Sequence, residues 1–230
     1  MTADRPATAA ATATTSPATL LPIVILISGR GSNMQVIAQA AASGSLPVRV
    51  AAVVSDRADA AGLAIARGLN LPAVCVAPRD HADRPSYDAA LAQTVAGFSP
   101  GLVVLAGFMR ILSPAFIGTF AGRMLNIHPS LLPRHRGLHT HRRVLEAGDS
   151  RHGASVHFVT EELDGGPVII QASVPVHAQD DEASLSARVQ QQEHRIYMQA
   201  IDWYARGRLR WQGGNAWLDG AALREPVLVQ

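Results

Sequence analysis

Three side chains that together could carry out acyl-transfer chemistry lie in two short segments of the chain. Asn126 and His128 fall in Leu-Asn-Ile-His-Pro, and Asp164 falls in Glu-Leu-Asp-Gly-Gly-Pro. An amide and an imidazole can donate hydrogen bonds to an oxygen that gains negative charge, and a nearby carboxylate can help to relay a proton. Because Asn126 and His128 are two residues apart on an extended segment, their side chains are predicted to project to the same side. These three residues form the candidate catalytic group.

Apolar runs predict the strands that must position this group. Strands are predicted at residues 21–27, 48–55, 73–76, 102–106 and 124–127, and helices at 34–42, 58–69, 86–98 and from Ser113-Pro114 onwards. Strands that alternate with helices predict a mostly parallel, twisted sheet with helices on both faces. The candidate residues then lie near the carboxyl ends of strands, where open α/β sheets bind their substrates.

The second half of the chain has a different pattern. Residues 155–159 and 168–176 are predicted strands joined through the turn Asp164-Gly165-Gly166, and we expect them to extend the sheet with antiparallel pairing. A long helix is predicted at residues 183–205. Two short strands around Gln-Gly-Gly-Asn, within residues 209–218, predict a terminal hairpin.

Composition limits both the class of protein and its chemistry. With 230 residues, of which 48% are hydrophobic and 17% charged, the chain can bury a large core. No repeat or linker divides it, so we expect one α/β domain at residues 21–230, after a disordered Ala/Thr/Pro-rich tail at residues 1–20. All twenty basic residues are arginine, which excludes a lysine Schiff base and a Walker-type lysine. The lone Cys75, predicted to be buried in a strand, excludes an intrachain disulfide and a thiolate metal cage.

Partners and location are predicted from the same composition. No apolar run has membrane-spanning length. The N-terminal segment lacks the basic start and apolar centre of a signal peptide, and a transit peptide is the alternative to a disordered tail. A net charge of +2 is too small to indicate a nucleic-acid partner by itself. We therefore expect a cytoplasmic protein that acts on small molecules, with no membrane or nucleic-acid partner. The sequence leaves open whether it forms a homodimer.

The glycine-rich segment Ser28-Gly-Arg-Gly-Ser-Asn33 follows the first predicted strand. Backbone N–H groups at the start of the next helix favour an anion there. Met34 occupies the position of the third glycine of a dinucleotide fingerprint, and no Gly-Lys-Ser/Thr follows, so NAD and ATP fit poorly. A small phosphate monoester fits better. A plain turn with Ser32 or Asn33 as the helix cap is an equally good interpretation of this segment alone.

Six of the nine histidines fall between His128 and His157, which raises the question of a metal site. Their spacing matches no standard zinc signature, so we expect no metal and assign these histidines to hydrogen bonding and proton handling. Arg134-His-Arg136 and Arg142-Arg143 form a basic patch. This patch is either solvated surface or an attraction for an anionic substrate or RNA.

An unusually apolar segment, Ala-Gly-Phe-Met-Arg-Ile-Leu at residues 106–112, directly follows the fourth predicted strand. Its Phe108, Met109, Ile111 and Leu112 either pack under the next helix or line a pocket for a flat apolar ligand. The sequence pattern does not distinguish these two alternatives.

Five segments of the chain, in order, resemble the folate-dependent formyltransferases. They are Ser-Gly-Arg-Gly-Ser-Asn, Ala-Gly-Phe-Met-Arg-Ile-Leu-Ser-Pro, Leu-Asn-Ile-His-Pro-Ser-Leu-Leu-Pro, Gly-Leu-His-Thr-His and Val-His-Phe-Val-Thr-Glu-Glu-Leu-Asp-Gly-Gly-Pro, and the likeness runs from about Leu21 to Asp219. The resemblance implies a Rossmann-like fold and an enzyme that takes a formyl group from 10-formyltetrahydrofolate. Ala-Gly-Phe-Met-Arg and the compact length point to the member of this family whose acceptor is the amine of phosphoribosylglycinamide, in de novo purine biosynthesis.

The resemblance also implies roles for individual residues. Asn126, His128 and Asp164 would be catalytic. The acceptor would contact Gly31, Ser32 and Asn33 through its phosphate and Glu193 through its ribose. The donor would contact Arg84, Met109, Arg110, Ile111, Leu112, Asn126, Thr160, Glu161, Glu162 and Leu163. Arg30 and the stretch Arg134-His135-Arg136 depart from the common family pattern, which bears on substrate affinity rather than on the chemistry.

Three other functions share parts of this pattern. A formyltetrahydrofolate hydrolase would use the same three residues with water as the acceptor, but such enzymes usually carry an N-terminal regulatory domain. A formyltransferase could act on another amine; one that acts on methionyl-tRNA shares the catalytic half but needs a C-terminal RNA-binding domain. A non-enzymatic binder of phosphate ligands has no need for an imidazole and a carboxylate that converge on one point.

Overall fold

Strands and helices alternate through most of the chain in the structure, a computed structural model that describes residues 20–229. The strands are β1 Leu21–Ile27, β2 Val48–Ser55, β3 Ala73–Cys75, β4 Leu102–Leu105, β5 Met124–His128, β6 Arg151–Phe158, β7 Val168–Pro175, β8 Leu209–Gln212, β9 Asn215–Leu218, β10 Ala221–Ala222 and β11 Val227–Val229. The helices are α1 Ser32–Ala42, α2 Ala61–Gly68, α3 Arg84–Gly97, α4 Pro114–Thr119, α5 Thr140–Ala147 and α6 Glu182–Ala205, and a 3-10 helix spans Pro78–Asp80. The predicted tail at residues 1–20 lies outside the described residues except for Leu20, which is exposed.

One eight-stranded sheet forms the base of the molecule, in the order β11-β7-β6-β5-β4-β1-β2-β3. The pairs from β3 to β5 are parallel, whereas β6 is antiparallel to both β5 and β7. A separate three-stranded sheet joins β10, β9 and β8. The chain runs outward from β1 to β3 and then returns to β4 on the other side of β1. Open α/β sheets bind ligands at such a change of direction.

Alternate side chains of β1 supply both faces of this sheet. Ile23, Ile25 and Ile27 belong to an apolar cluster with residues of α1, α2 and α6. Val24 and Leu26 belong to a second cluster on the opposite face, with residues of α3 and α4. These strand residues are fully buried, and each such side chain contributes about 1.5–3 kcal/mol of burial free energy. The prediction of a mostly parallel sheet with helices on both faces and antiparallel pairing in the second half is confirmed.

Two aspartates set where two of the flanking helices begin. Asp83 caps α3 and Asp181 caps α6. In both cases the carboxylate accepts from the backbone N–H of the serine three residues later, and the hydroxyl of that serine accepts from the backbone N–H of the aspartate. Such a reciprocal cap satisfies two N–H groups that a helix leaves unpaired. The long helix α6 is therefore fixed at the end that lies near the candidate site.

The structure corrects several predicted element boundaries. Strand β6 begins at Arg151 rather than at residue 155, and helix α1 begins at Ser32 rather than at Met34. Helix α5 and strand β11 were not predicted, and α2 is shorter at both ends than residues 58–69. Cys75 is only partly buried, because it is the last residue of the short edge strand β3. Among residues 20–229, no helix is long and apolar enough to cross a membrane.

Candidate active site

The pairing of two strands places the candidate amide beside a histidine. Asn126 of β5 lies directly opposite His157 of β6, and Asn126 Nδ2 lies 3.0 Å from His157 Nε2. His157 Nδ1 lies 2.8 Å from the carbonyl oxygen of Phe158, so Nδ1 must carry the proton and donate it to that oxygen. His157 Nε2 is then an acceptor, which fixes the Asn126 amide with its N–H₂ group toward the imidazole. The second N–H of Asn126 stays available for a ligand.

Burial keeps the ring of His157 neutral. Burial lowers the pKa of His157 to about 4, although the hydrogen bond to Phe158 and the charge of Asp164 act in the opposite direction. Asp164 Oδ1 lies 3.7 Å from His157 Nε2, but a neutral ring makes no ion pair with it. His157 therefore acts on Asn126 as a hydrogen-bond acceptor. The sequence analysis assigned this histidine, with its cluster, to hydrogen bonding and proton handling but did not connect it with Asn126.

His128 and Asp164 face each other at the end of β5. His128 Nδ1 lies 3.5 Å from Asp164 Oδ2, and both side chains are 8% exposed. The same carboxylate oxygen accepts a 2.9 Å hydrogen bond from the backbone N–H of Gly137. Asp164 has a left-handed backbone, with a φ of 49°, at the turn between β6 and β7. The structure therefore brings the three predicted catalytic residues together around one point.

A cavity of about 690 Å³ opens in front of these three residues. Its other walls come from the segment after β4, from residues 137–141 and from Leu163 and Glu182. A smaller cavity of about 90 Å³ adjoins it and is lined by most of the residues predicted to bind the donor: Arg110, Ile111, Leu112, Thr160, Glu161, Glu162 and Leu163. Met109 lines the larger cavity. A flat, partly apolar ligand with polar edges fits walls of this composition.

The apolar segment after β4 does both things that its sequence allows: some of its side chains pack under the neighbouring helices, and the others line a pocket. Phe108 and Leu112 are 8% exposed and pack in the core under α3 and α4. Met109 is 67% exposed and Ile111 is 60% exposed, and both line cavities near the site. The two ends of the segment are therefore buried, and its middle is available to a ligand.

A hydrogen-bond network at the ends of three strands holds this segment in place. Ser28 Oγ donates to Asp56 Oδ1 at 2.6 Å and accepts from the N–H of Met109 at 2.8 Å. Arg110 Nε donates to the other oxygen of Asp56 at 2.9 Å. Ser28, Asp56 and Met109 follow β1, β2 and β4. Sequence reasoning missed Asp56. Its side chain is only 6% exposed, and because a carboxylate is rarely buried without partners, the hydrogen bonds from Ser28 and Arg110 account for its position.

Arg84 lines neither the cavity of about 690 Å³ nor the adjoining cavity of about 90 Å³. Its guanidinium donates to Asp88 Oδ2 at 3.0 Å and makes a close contact with the carbonyl oxygen of Ile111. Together with residues 109–111 it lines a shallower cleft beside the site. Of the residues predicted to contact the donor, Arg84 is thus placed at the periphery.

A separate cavity, of about 470 Å³, lies at the N-terminus of α1. It is lined by all four residues predicted to bind the acceptor: Gly31, Ser32, Asn33 and Glu193. It shares Gly107, Met109 and His141 with the larger cavity, so a ligand in one can meet a ligand in the other. The first N–H groups of α1 point into this region, and the helix dipole favours an anion there.

Two of the α6 side chains that line this cavity, Gln190 and Glu193, hydrogen-bond to the start of α1. Asn33 Nδ2 donates to Glu193 Oε2 at 2.8 Å, and Gln190 Nε2 donates to Ser32 Oγ at 2.8 Å. Burial raises the pKa of the Glu193 carboxyl, which the hydrogen bond from Asn33 opposes. Gln190 was not predicted. It lies three residues before Glu193, which places both on one face of a helix.

Two further histidines, His141 and His152, form a hydrogen-bonded pair. His141 Nδ1 and His152 Nε2 lie 2.9 Å apart, so one ring donates to the other. Burial lowers the pKa of both, that of His152 to about 4. In the part of the chain that the structure describes, no group of three or more His, Cys, Asp or Glu side chains is arranged to hold a metal ion.

Carboxylates offset most of the predicted basic patch. Arg134 contacts Asp149, Arg136 contacts Glu162, and Arg142 lies 4.0 Å from Glu146. Each of these three arginines therefore has a nearby carboxylate partner. This pairing favours the interpretation of the patch as ordinary solvated surface over an attraction for RNA.

Comparison with known proteins identifies the family of this chain. Residues 21–201 match the family model described as formyl transferase. The chain belongs to this family. It is 54% identical over 201 residues to the phosphoribosylglycinamide formyltransferase of Escherichia coli K12, an alignment that covers 87% of this chain and 95% of that protein. It is 44% identical to the enzyme of the same name from Haemophilus influenzae, with the same coverage.

Solved structures give the same result for the fold. The phosphoribosylglycinamide formyltransferase of Coxiella burnetii superposes on this formyltransferase with a TM-score of 0.87 and 43% identity, over 92% of this chain and all of that one. The predictions of the family, of the fold and of an enzyme are thereby confirmed. The names of these relatives agree with the main prediction for the function and not with the hydrolase alternative.

Proposed function

We propose that this formyltransferase moves the formyl group of 10-formyltetrahydrofolate to the amine of phosphoribosylglycinamide. The observation that carries this proposal is the meeting of two cavities beside Asn126, His128 and Asp164. One cavity is suited to a flat, partly apolar donor and the other to a small phosphate ester. The reaction needs these two ligands side by side at an oxyanion-binding group.

The acceptor is proposed to lie with its phosphate at the N-terminus of α1. Ser32 and Asn33 offer backbone N–H groups there, and Glu193 offers a carboxyl group to the ribose. Asn33 Oδ1 is buried and has no hydrogen-bond partner in the protein. A buried acceptor without a partner is costly, and a hydroxyl or amine of the ligand would satisfy it. This unpaired atom supports a polar ligand in this cavity.

The donor is proposed to lie in the larger cavity, with its ring system against Met109, Ile111 and Leu163. When bound, it supplies an activated formyl group. The backbone and side chains of residues 160–163 offer the polar partners that a pterin edge requires. Exposed apolar side chains at the cavity mouth, Met109 and Leu163 among them, would keep bulk water from the formyl carbon.

The three catalytic candidates divide the chemistry between them. Asn126 donates its free N–H to the formyl oxygen as that oxygen gains negative charge on attack by the amine. His128, protonated on both ring nitrogens, donates from Nδ1 to the same oxygen, because its Nε2 faces the carbonyl oxygen of His135. The charge of Asp164 stabilises positive charge on the imidazole. Asp164 also accepts the amine proton, directly or through a water molecule, and returns it to the departing nitrogen of the donor. This mechanism uses no covalent enzyme intermediate and assigns no step to a metal.

We further propose the cytoplasm as the site of this reaction. The substrates are soluble phosphate and folate compounds, and relatives from several animals are named trifunctional purine biosynthetic proteins. The predicted absence of membrane and nucleic-acid partners belongs to this proposal, as does the option of a homodimer.

The test is to follow the loss of the formyl group from 10-formyltetrahydrofolate by absorbance, with and without phosphoribosylglycinamide. We expect turnover that depends on the acceptor. Asp164→Asn should lower kcat by on the order of 100- to 1,000-fold, whereas Asp59→Asn, a change of an exposed carboxylate, should leave kcat unchanged. Release of the formyl group without the acceptor would identify a hydrolase, and normal turnover of Asp164→Asn would disprove the assigned role.

A further inference from the structure

One loop contacts both members of the His128–Asp164 pair. We call residues 134–139, just before α5, the 134–139 loop. The carbonyl oxygen of His135 lies 3.0 Å from His128 Nε2, and the N–H of Gly137 donates to Asp164 Oδ2 at 2.9 Å. These two backbone groups are only two residues apart, so a displacement of the loop would move the imidazole and the carboxylate together.

A largely buried contact ties this loop to the body of the protein. His135 Nε2 lies 2.7 Å from Asp149 Oδ2, and the two side chains are 14% and 12% exposed. Asp149 follows α5, and its N–H donates to the carbonyl of Val144 at 3.2 Å. Arg134 also contacts Asp149, but its side chain is 60% exposed, so solvent weakens this second contact. The hydrogen bond from His135 is therefore the better-shielded link.

The backbone of His135 requires such a link. Its φ of 52° lies in the left-handed region, which costs a residue other than glycine about 1–2 kcal/mol. Strained backbone of this kind persists where surrounding contacts hold it. The hydrogen bond from His135 lowers the pKa of the Asp149 carboxyl, as does the contact with Arg134. Asp149 is thus an ionised acceptor at neutral pH and can hold the loop.

The position of the loop decides which nitrogen of His128 exchanges its proton. A carbonyl oxygen can only accept, so His128 Nε2 must carry a proton toward His135. The nitrogen that gains and loses a proton is then Nδ1, which faces Asp164 at 3.5 Å. Without the His135 carbonyl in place, the neutral ring could adopt either tautomer.

We infer that His135 and Asp149 are positioning residues for catalysis, because their contact holds the His135 carbonyl against His128 Nε2 and so confines proton exchange to Nδ1, beside Asp164. This inference rests on the proposed function of His128. Neither His135 nor Asp149 lines the two substrate cavities, so their effect on the reaction passes through the loop.

The experiment compares two substitutions at the same strained position. His135→Met and His135→Gln both keep a side chain of similar length on the left-handed backbone, but only Gln retains an N–H donor for Asp149. We expect His135→Met to lower kcat by about tenfold, with the KM values of both substrates changed less than twofold. His135→Gln should stay within about threefold of the parent. Arg134→Ala, which removes only the exposed partner of Asp149, should keep the parental kcat.

Nitrogen-15 NMR of the His128 ring in the resting enzyme gives a second readout, which needs no turnover. At a pH high enough to make the ring neutral, the parent and His135→Gln should show the proton at Nε2, and His135→Met should show a mixture of tautomers. Parental kcat and an unchanged His128 ring in a folded His135→Met would overturn the inference. If His135→Met does not fold, Asp149→Ala against Asp149→Asn makes the same comparison from the other partner. Failure of the proposed function would appear separately, as a parent enzyme that does not formylate the acceptor.

Discussion

Among the individual residues, His157 bears most directly on the orientation of Asn126. Its neutral ring accepts one N–H of the Asn126 amide and so directs the other toward the cavity. We expect His157→Leu to lower kcat by about 10- to 100-fold, because the amide then loses the partner that orients it and small misplacements are costly in catalysis. Steady-state kinetics of acceptor-dependent formyl transfer measures this effect, with thermal unfolding to verify that the variant is folded.

Two comparisons separate orientation from a loss of packing at His157. His157→Gln keeps an acceptor oxygen that can reach Asn126 and should recover much of the activity. In an Asn126→Ala background, His157→Leu should have little further effect, because both changes remove the same hydrogen bond. Additive losses in the double variant would show that His157 acts through something other than this amide.

The residues that could be predicted are those whose chemistry is visible in their type and local spacing. Asn126, His128 and Asp164 combine the required groups beside turn residues. His157, Asp56 and Gln190 take part through pairing that spans 28 to 158 residues of sequence. A strand register or a contact between helices creates these partnerships, and neither is written in the local pattern.

At the scale of elements, the turn between β1 and α1 is the least tolerant part of the candidate site. Gly31 has a φ of 77°, and a Cβ added there would lie 2.8 Å from the Cα of Gly62 at the start of α2. We expect Gly31→Ala to cost about 1 kcal/mol for the left-handed backbone and about 1–3 kcal/mol more for the overlap. Because the turn must shift, the KM for the acceptor should rise by about tenfold or more.

The matched control for this element is Gly44→Ala, in the turn that follows α1. Gly44 has nearly the same φ, 76°, but a Cβ there meets no atom within 4 Å. It should lose only the backbone contribution, about 1 kcal/mol, and keep the KM of the parent. Urea unfolding and acceptor titrations of both variants measure the two effects. Equal losses of stability would mean that the contact with Gly62 relaxes freely.

Element boundaries were predictable where burial on both faces gives a continuous apolar run, as in β1 and β2. Predicted boundaries were wrong where contacts with a distant segment, and not a local apolar run, determine the secondary structure. The polar start of β6, at Arg151, is a strand because β7 pairs with it, and Gly153 fits there because a Cβ would lie 2.0 Å from the carbonyl oxygen of Ala172. Helix α5 has few apolar residues and buries only Thr140 and Val144.

For the whole molecule, the buried histidines link stability to pH. Burial is the main cause that lowers the pKa of four of them: His141, His152, His157 and His194. The rings of His152 and His157, with pKa values of about 4, stay neutral in the folded protein over a range in which the unfolded chain, with an ordinary value near 6.5, already binds protons. Glu193, whose pKa is raised, acts in the opposite direction, but it is one group against four.

Stability should therefore fall as the pH is lowered from about 6.5 to about 4. In this window the unfolded state binds more protons than the folded state, so the free energy of unfolding increases with pH. His152 and His157 contribute on the order of 3 kcal/mol each across the window. The aspartates whose pKa values are lowered, such as Asp149, add a further loss that begins where unfolded carboxyls titrate and continues down to the lowered pKa of the folded state. Urea unfolding at a series of pH values measures the slope. His152→Gln should reduce this slope, whereas His177→Gln, a change of an exposed histidine, should leave it unchanged. A parent protein whose stability is constant between about pH 6.5 and about pH 4 would contradict the burial of neutral rings.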